Sequence, residues 1–210
     1  MESELLRSIK ALREGPVGAK VRKRMQEFRR AGKGTGERIF SELCFCILTA
    51  NYTAEGGIRI QKDMGSKFCT MDEAGLAKKL KMLGHRVPNA RAKYIAEARK
   101  HRVDLSKVYA KRSSNEMREW LAENVKGLGY KESSHFLRNI GITDLAIIDF
   151  HIIDILVKHK LIKRPKSKTL SKKKYLEIER VLAKLAANAN VTLAELDLYL
   201  WYMETGKILK

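Results

Sequence analysis

The chain has no hydrophobic run that could cross a bilayer. The longest, Leu43 to Ala50, falls well short of the roughly 20 residues a spanning helix needs. Proline is scarce, with three residues, and the 14 glycines in 210 positions are few, so little breaks a helix. Cysteine numbers only three. Cys44, Cys46 and Cys69 form no C-x-x-C pair and are too few for a four-cysteine zinc or iron–sulfur site. The five histidines show no metal-ligand spacing near them, so the cysteines are expected to be structural, behaving as small apolar groups. The opening "MESELLRSIKALREG" lacks the apolar centre of a secretory leader, which leads to the expectation of a soluble, intracellular protein. Acidic residues are the last shortage. Asp and Glu total 24 against 43 Lys and Arg, a net charge of +19. Such an excess repels itself unless a polyanion is near, and nucleic acid is the commonest one. A merely basic surface is the alternative.

What is present reads as helix almost throughout. Apolar residues recur at spacings of three and four, as in Leu5, Ile9 and Leu12. "GERIFSELCFCILTA" is apolar nearly all round and predicts a buried central helix. "MDEAGLAKKLKML" has acidic residues at its N-terminus, suiting the helix dipole, and stops at Gly84. "SSNEMREWLAENV" opens on capping serines. No alternating stretch calls for a sheet and no repeat is present, so the expected class is all-α with about a dozen helices by ordinary helix length. Segments 1–35 and 150–210 are expected to pack as one lobe around a middle lobe of 36–149. The stretch "KRPKSKTLSKKK" reads as an exposed, mobile basic linker.

One short stretch interrupts the helices in an informative way. In "VKGLGYKESSHFLRN", Gly127 and Gly129 flank Leu128, so a tight turn plugged by a leucine joins two helices, at about 115–140 overall. Outward-facing amides of such a turn and of the next helix's first turn make an anion site suited to a DNA phosphate, although glycine pairs also end helices with no such role. Lys131 opens the following helix, where the dipole disfavours a cation, and Asp149 stands at the N-cap position of "FHIIDILVKHK".

A lysine presented by a helix–hairpin–helix and an aspartate delivered by the next loop form the constellation of the helix–hairpin–helix DNA glycosylase superfamily. More closely, "KGLGYKESSHFLRNIG", "IIDFHI", "ELCFCILTANYTA" and "LDLYLWYMETGKILK" resemble the type 2 archaeal and bacterial 8-oxoguanine DNA glycosylase/AP lyase family over essentially the whole chain. The resemblance implies two helical lobes with the active site in the cleft between them, and an enzyme that excises 8-oxoguanine and then nicks the strand by β-elimination. Lys131 would be the nucleophile at C1′, forming a Schiff base. Attack requires the neutral amine, which desolvation and neighbouring positive charge favour. Asp149 would stabilise the cationic sugar as the base departs. A solvated lysine and a plain N-cap are the uneventful alternatives for this pair.

Excision also demands that the base be swung out of the duplex. Asn51, as a wedge, and Tyr52 are expected to meet the gap left behind. Trp201 would stack on the base, unless it is a core tryptophan. Lys210 would accept the N7 proton that distinguishes 8-oxoguanine from guanine, through its α-carboxylate. Asp197 would accept from the Watson–Crick edge, with a salt-bridged surface residue as the competing reading. Val87 stands where relatives tend to carry an aromatic that offers the base a second face. Arg86, Lys126 and the basic stretch are expected to meet phosphates. No cofactor and no metal are implied. The partner is duplex DNA bearing an oxidised purine, bound by a monomer away from membranes. A related glycosylase acting on another lesion, and a non-catalytic DNA-binding module, are the rival readings.

Overall fold

The computed structural model describes residues 3–102, 105, 112–167 and 169–210. Helices follow in the order α1 (Glu4–Glu14), α2 (Pro16–Gly32), α3 (Gly36–Thr49), α4 (Ala54–Met64), α5 (Lys67–Thr70), α6 (Glu73–Met82) and α7 (Pro88–Ala98), with a 3-10 turn at Arg99–His101. Beyond the undescribed positions come α8 (Ser114–Asn124), α9 (Tyr130–Asn139), α10 (Phe150–Lys158), α11 (Lys172–Ala189) and α12 (Leu193–Thr205). Among the described residues there is no strand, and no helix is long and apolar enough to cross a membrane. The fold is all-α, as the periodicity predicts.

The helix starts follow from side-chain chemistry. Asp72 caps α6 by accepting the Gly75 N–H, and Ser113 forms a reciprocal capping box with Glu116 at the head of α8. Each such cap satisfies amides that have no partner inside the helix and is worth about 1 kcal/mol. The stretch expected as a linker follows α10, but its Ser171 caps α11 and its Lys172, Lys173 and Lys174 are the first turn of that helix. Its Lys163, Arg164, Lys166 and Ser167 are exposed, while Lys168 lies outside the described residues.

Apolar side chains divide into two buried clusters. One is built around α3, whose Phe40, Leu43, Cys44, Phe45, Cys46, Ile47 and Leu48 are fully buried, and takes in α4 to α9 as far as Leu145. Each phenylalanine so buried contributes about 1.5–3 kcal/mol. Burial also pushes the Cys44 and Cys46 thiols up, so they are inert packing groups. The other cluster joins α1 and α2, from Leu5 to Phe28, to the chain from Ala146 onward, with α10, α11 and α12. Both ends of the chain therefore build the same cluster.

Two features tie the clusters together. Arg118, on α8 and 1% exposed, makes a two-pronged ion pair with Glu179 of α11, at 2.6 and 2.9 Å. Glu179 also accepts the Ala146 N–H at 2.8 Å, and the Tyr175 hydroxyl donates to the Ala146 carbonyl at 2.7 Å. These contacts hold the loop that delivers Asp149. Removing one partner of a buried pair leaves a bare charge. Glu179→Ala is therefore expected to lower stability by about 3 kcal/mol, read as an earlier urea midpoint with unchanged m-value. The second feature is the contact of α2 with the end of α9: a Cβ at Gly32 would stand 1.9 Å from the carbonyl oxygen of Ile140.

Candidate active site

The turn between α8 and α9 is built around one obligatory glycine. Gly127 has φ +90, and a Cβ there would meet the Tyr94 ring at 2.6 Å, so position 127 needs both the backbone freedom and the missing side chain. Leu128 plugs into the α3 cluster at 6% exposure, as expected for the residue between two turn glycines. The amides are less free than the sequence suggests. Leu128 N–H donates to Val125 O, and Gly129 N–H donates to Glu132 Oε2 at 3.3 Å. Glu132 is the N3 residue of α9, and its carboxylate makes the backward half of a capping box, Gly129 having no side chain to return it, at the spot where a phosphate is expected. A phosphate bound there has to displace that carboxylate.

α9 carries Lys131 in its first turn, and the fold brings the expected side chains into one cleft of about 660 Å³. Lys131, Asp149, Asn51, Tyr52, Arg86, Asp197, Trp201 and Lys210 all line it. Gly127 does not. It borders a separate hollow of about 340 Å³ beside Glu97 and Lys100. Val87 caps α7, is 43% exposed and does not line the cleft.

Asp149 occupies the N-cap of α10, where its Oδ1 accepts the Ile152 N–H at 2.9 Å. Lys131 is a third exposed, and its amine sits 3.0 Å from Glu132 Oε1. The nearest partner of the expected nucleophile is thus an anion, not the positive neighbour that the chemistry favours. That ion pair has to open before the amine can attack. Asn51 follows the C-terminus of α3 with φ 60, a conformation uncommon outside glycine. The turn is secured from beneath, because Arg91 donates to Ala50 O and the His85 ring bonds Leu48 O at 3.0 Å. Tyr52 lies on the His85 ring and donates to Gly84 O at 3.1 Å.

On the opposite wall Trp201 is half-buried in the cleft lining, edge-on to His151 with ring centres 5.3 Å apart. Its indole N–H is buried and has no partner among the described residues. Asp197 is ion-paired with Arg138 through Oδ2, yet it is mostly buried in the cleft wall, not on the surface. Burial pushes its carboxyl up to about 6, Arg138 opposing and the Asp149 charge adding to the rise. The Lys210 amine is not in solvent either. It sits 2.9 Å from both carboxylate oxygens of Glu42, and burial lowers its pKa against the pull of that carboxylate.

Glu132, His135, Arg138 and Phe150 escape the reading of the sequence. The first three share the inner face of α9 with Lys131, and 131–135–138 is helical spacing that carries the signal. His135 is held neutral, with its pKa well below the usual histidine range. Burial is the main cause, and the charges of Arg138, Lys131 and Lys210 add to it. Phe150, directly after Asp149, is 67% exposed at the cleft and lies over the His151 ring at 3.9 Å. An exposed aromatic in a cleft is a stacking surface in the making. No cluster of three or more His, Cys, Asp or Glu side chains fit to hold a metal occurs among the described residues.

The geometry has close counterparts. A family model described as 8-oxoguanine DNA glycosylase matches residues 21–191. The 8-oxoguanine DNA glycosylase/AP lyase of Korarchaeum cryptofilum is 47% identical over 208 residues, covering 99% of this chain and 98% of the relative. The Methanocaldococcus jannaschii 8-oxoguanine glycosylase/lyase, solved in complex with a 15mer DNA containing 8-oxoguanine, superposes with a TM-score of 0.94 at 48% identity, covering 98% of this chain and 99% of that one. The Thermotoga maritima 8-oxoguanine DNA glycosylase superposes at 0.92 with 45% identity and 99% coverage of both chains.

Proposed function

The chain belongs to the 8-oxoguanine DNA glycosylase family, and we propose that it excises 8-oxoguanine from duplex DNA and cleaves the abasic site, with Lys131 as nucleophile and Asp149 as the electrostatic partner. The observation that supports these roles is the single cleft that gathers Lys131, Asp149, Trp201 and Lys210 from four separate parts of the chain. Neutral Lys131 attacks C1′ as the bond to the base breaks, and the departing base takes a proton. The sugar ring opens to an iminium on the lysine nitrogen. Loss of the C2′ proton then expels the 3′ oxygen and nicks the strand. The Asp149 carboxylate offsets the positive charge that grows on the sugar. Base recognition falls to Trp201 by stacking, to Lys210 through a main-chain oxygen at N7–H, and to Asp197 at the Watson–Crick edge. Asn51 and Tyr52 meet the vacated position in the duplex, and Arg86 with the hairpin glycines Gly127 and Gly129 meets the backbone. The enzyme acts as a monomer.

Borohydride trapping across oligonucleotides with different lesions tests the reaction and the substrate together. A covalent adduct is expected with 8-oxoguanine and with preformed abasic sites. A stronger adduct with another damaged base would replace the proposed substrate. Binding is expected to weaken with salt. If about six phosphates are contacted, log K against log salt has a slope of about −5, and a flat plot would remove the electrostatic role of the +19 charge.

A further inference from the structure

Glu42 is a carboxylate in the middle of α3, the buried helix on which the first apolar cluster is built; it is 1% exposed, with no contact of its own to the cleft. Four donors converge on it. Lys210 Nζ reaches both oxygens at 2.9 Å, Gln61 Nε2 reaches Oε1 at 3.2 Å, Asn139 Nδ2 reaches Oε2 at 3.4 Å, and Arg38 stands 3.4 Å from Oε1. The Lys210 amine lies in addition 4.6 Å over the face of Phe45. The network continues beyond Glu42. Asn139 Oδ1 accepts from Arg138 Nε at 3.3 Å and from Arg138 Nη2 at 3.0 Å, and Arg138 Nη1 holds the Asp197 carboxylate.

A buried charged cluster of this kind is a poor means of stabilising a core. Apolar side chains of the same volume serve as well or better. What it supplies is a fixed geometry, since each charged donor admits few positions of its acceptor. The two ends of the network are the two residues assigned to the base, Lys210 and Asp197. We propose that Glu42 is a positioning residue for lesion recognition: it locks Lys210 directly, and Asp197 through Asn139 and Arg138, so that the acceptors for the two edges of the everted purine stand a fixed distance apart. The proposal rests on the reading of Lys210 and Asp197 as base contacts.

Glu42→Gln keeps the shape and removes the charge, leaving a carboxamide facing an ammonium. The ratio of excision rates for 8-oxoguanine over guanine is expected to fall at least tenfold. Strand cleavage at a preformed abasic site, which has no base to read, is expected to stay within twofold of the parent. Glu42→Asp, which keeps the charge but withdraws it by one methylene, should fall between. Should Glu42→Gln fail to fold, by circular dichroism and thermal melting, Lys210→Met removes the same contact from its other end. It is then expected to lower the excision ratio at least tenfold. A folded Glu42→Gln enzyme with an unchanged ratio overturns the proposal, as does one that loses excision and abasic-site cleavage in proportion. Deleting Lys210 separates the two levels. If the deletion lowers the ratio and Glu42→Gln does not, the positioning role fails alone. If the deletion leaves the ratio unchanged, the assignment of Lys210 to the base fails, and the positioning role with it.

Discussion

Lys131→Gln is expected to remove the borohydride-trapped adduct entirely and to lower strand cleavage by at least about a thousandfold, the scale on which loss of a covalent nucleophile acts. Glutamine is one atom shorter and uncharged but stays polar, and the cap of α9 is made by Glu132, so the first turn of α9 should hold. The amide nitrogen has no lone pair to give to C1′, and no Schiff base can form. The capping contact between Gly129 N–H and Glu132 Oε2 does not involve Lys131, so the hairpin should bind duplex DNA as before. An adduct that survives the substitution, or a variant that loses DNA binding to the same extent as activity, would remove Lys131 from the chemistry. A DNA-binding module that uses the hairpin only for phosphate would form no adduct in either protein.

Asp149→Asn separates two roles that one carboxylate plays. As the N-cap of α10, Asp149 accepts the Ile152 N–H through Oδ1, and asparagine is as good a cap as aspartate. Stability should therefore change by no more than about half a kcal/mol. The charge is what disappears. A neutral amide cannot offset the cation that develops on the sugar, and losing one such electrostatic contact costs about 10²–10³-fold. Base release from 8-oxoguanine DNA is expected to slow on that scale in single-turnover assays, with duplex affinity intact. A fall in melting temperature that accounts for the lost activity would make Asp149 a structural cap and nothing more. Asp197 provides a second readout. The Asp149 charge is one of the influences that push the Asp197 carboxyl up to about 6, so Asp149→Asn should let Asp197 ionise at lower pH, visible by carboxyl NMR titration.

Local pattern made much of this fold legible. The apolar run of α3, the capping residues at Asp72 and Ser113, and the Gly-Leu-Gly turn are local features, and local physics sets them. The cap at Asp149 belongs to the same class. The contacts of the charged side chains do not. The apolar run around Glu42 predicts a buried helix but does not say what meets the carboxylate there, because its partners Gln61, Asn139 and Lys210 arrive from three other segments. Asp197 reads from the sequence as a base acceptor or a salt-bridged surface residue, and only α9, by bringing Arg138 against it, makes it a salt bridge that is mostly buried. Lys131 shows the opposite failure. Its ion pair is with the adjacent residue, but a neighbour in sequence is seldom a neighbour on a helix face, and Glu132 turns back only because it also serves the cap.

The contact at Gly32 carries a consequence for heredity. The carbonyl it lies against belongs to Ile140, just past the end of the helix whose opening turn presents the amine. A single extra methyl there would wedge α2 away and tilt that helix, and a shift of about 1 Å at a reacting group can cost a hundredfold in rate. Mutator alleles sought by raising growth temperature should therefore include substitutions at Gly32, which lies outside the cleft.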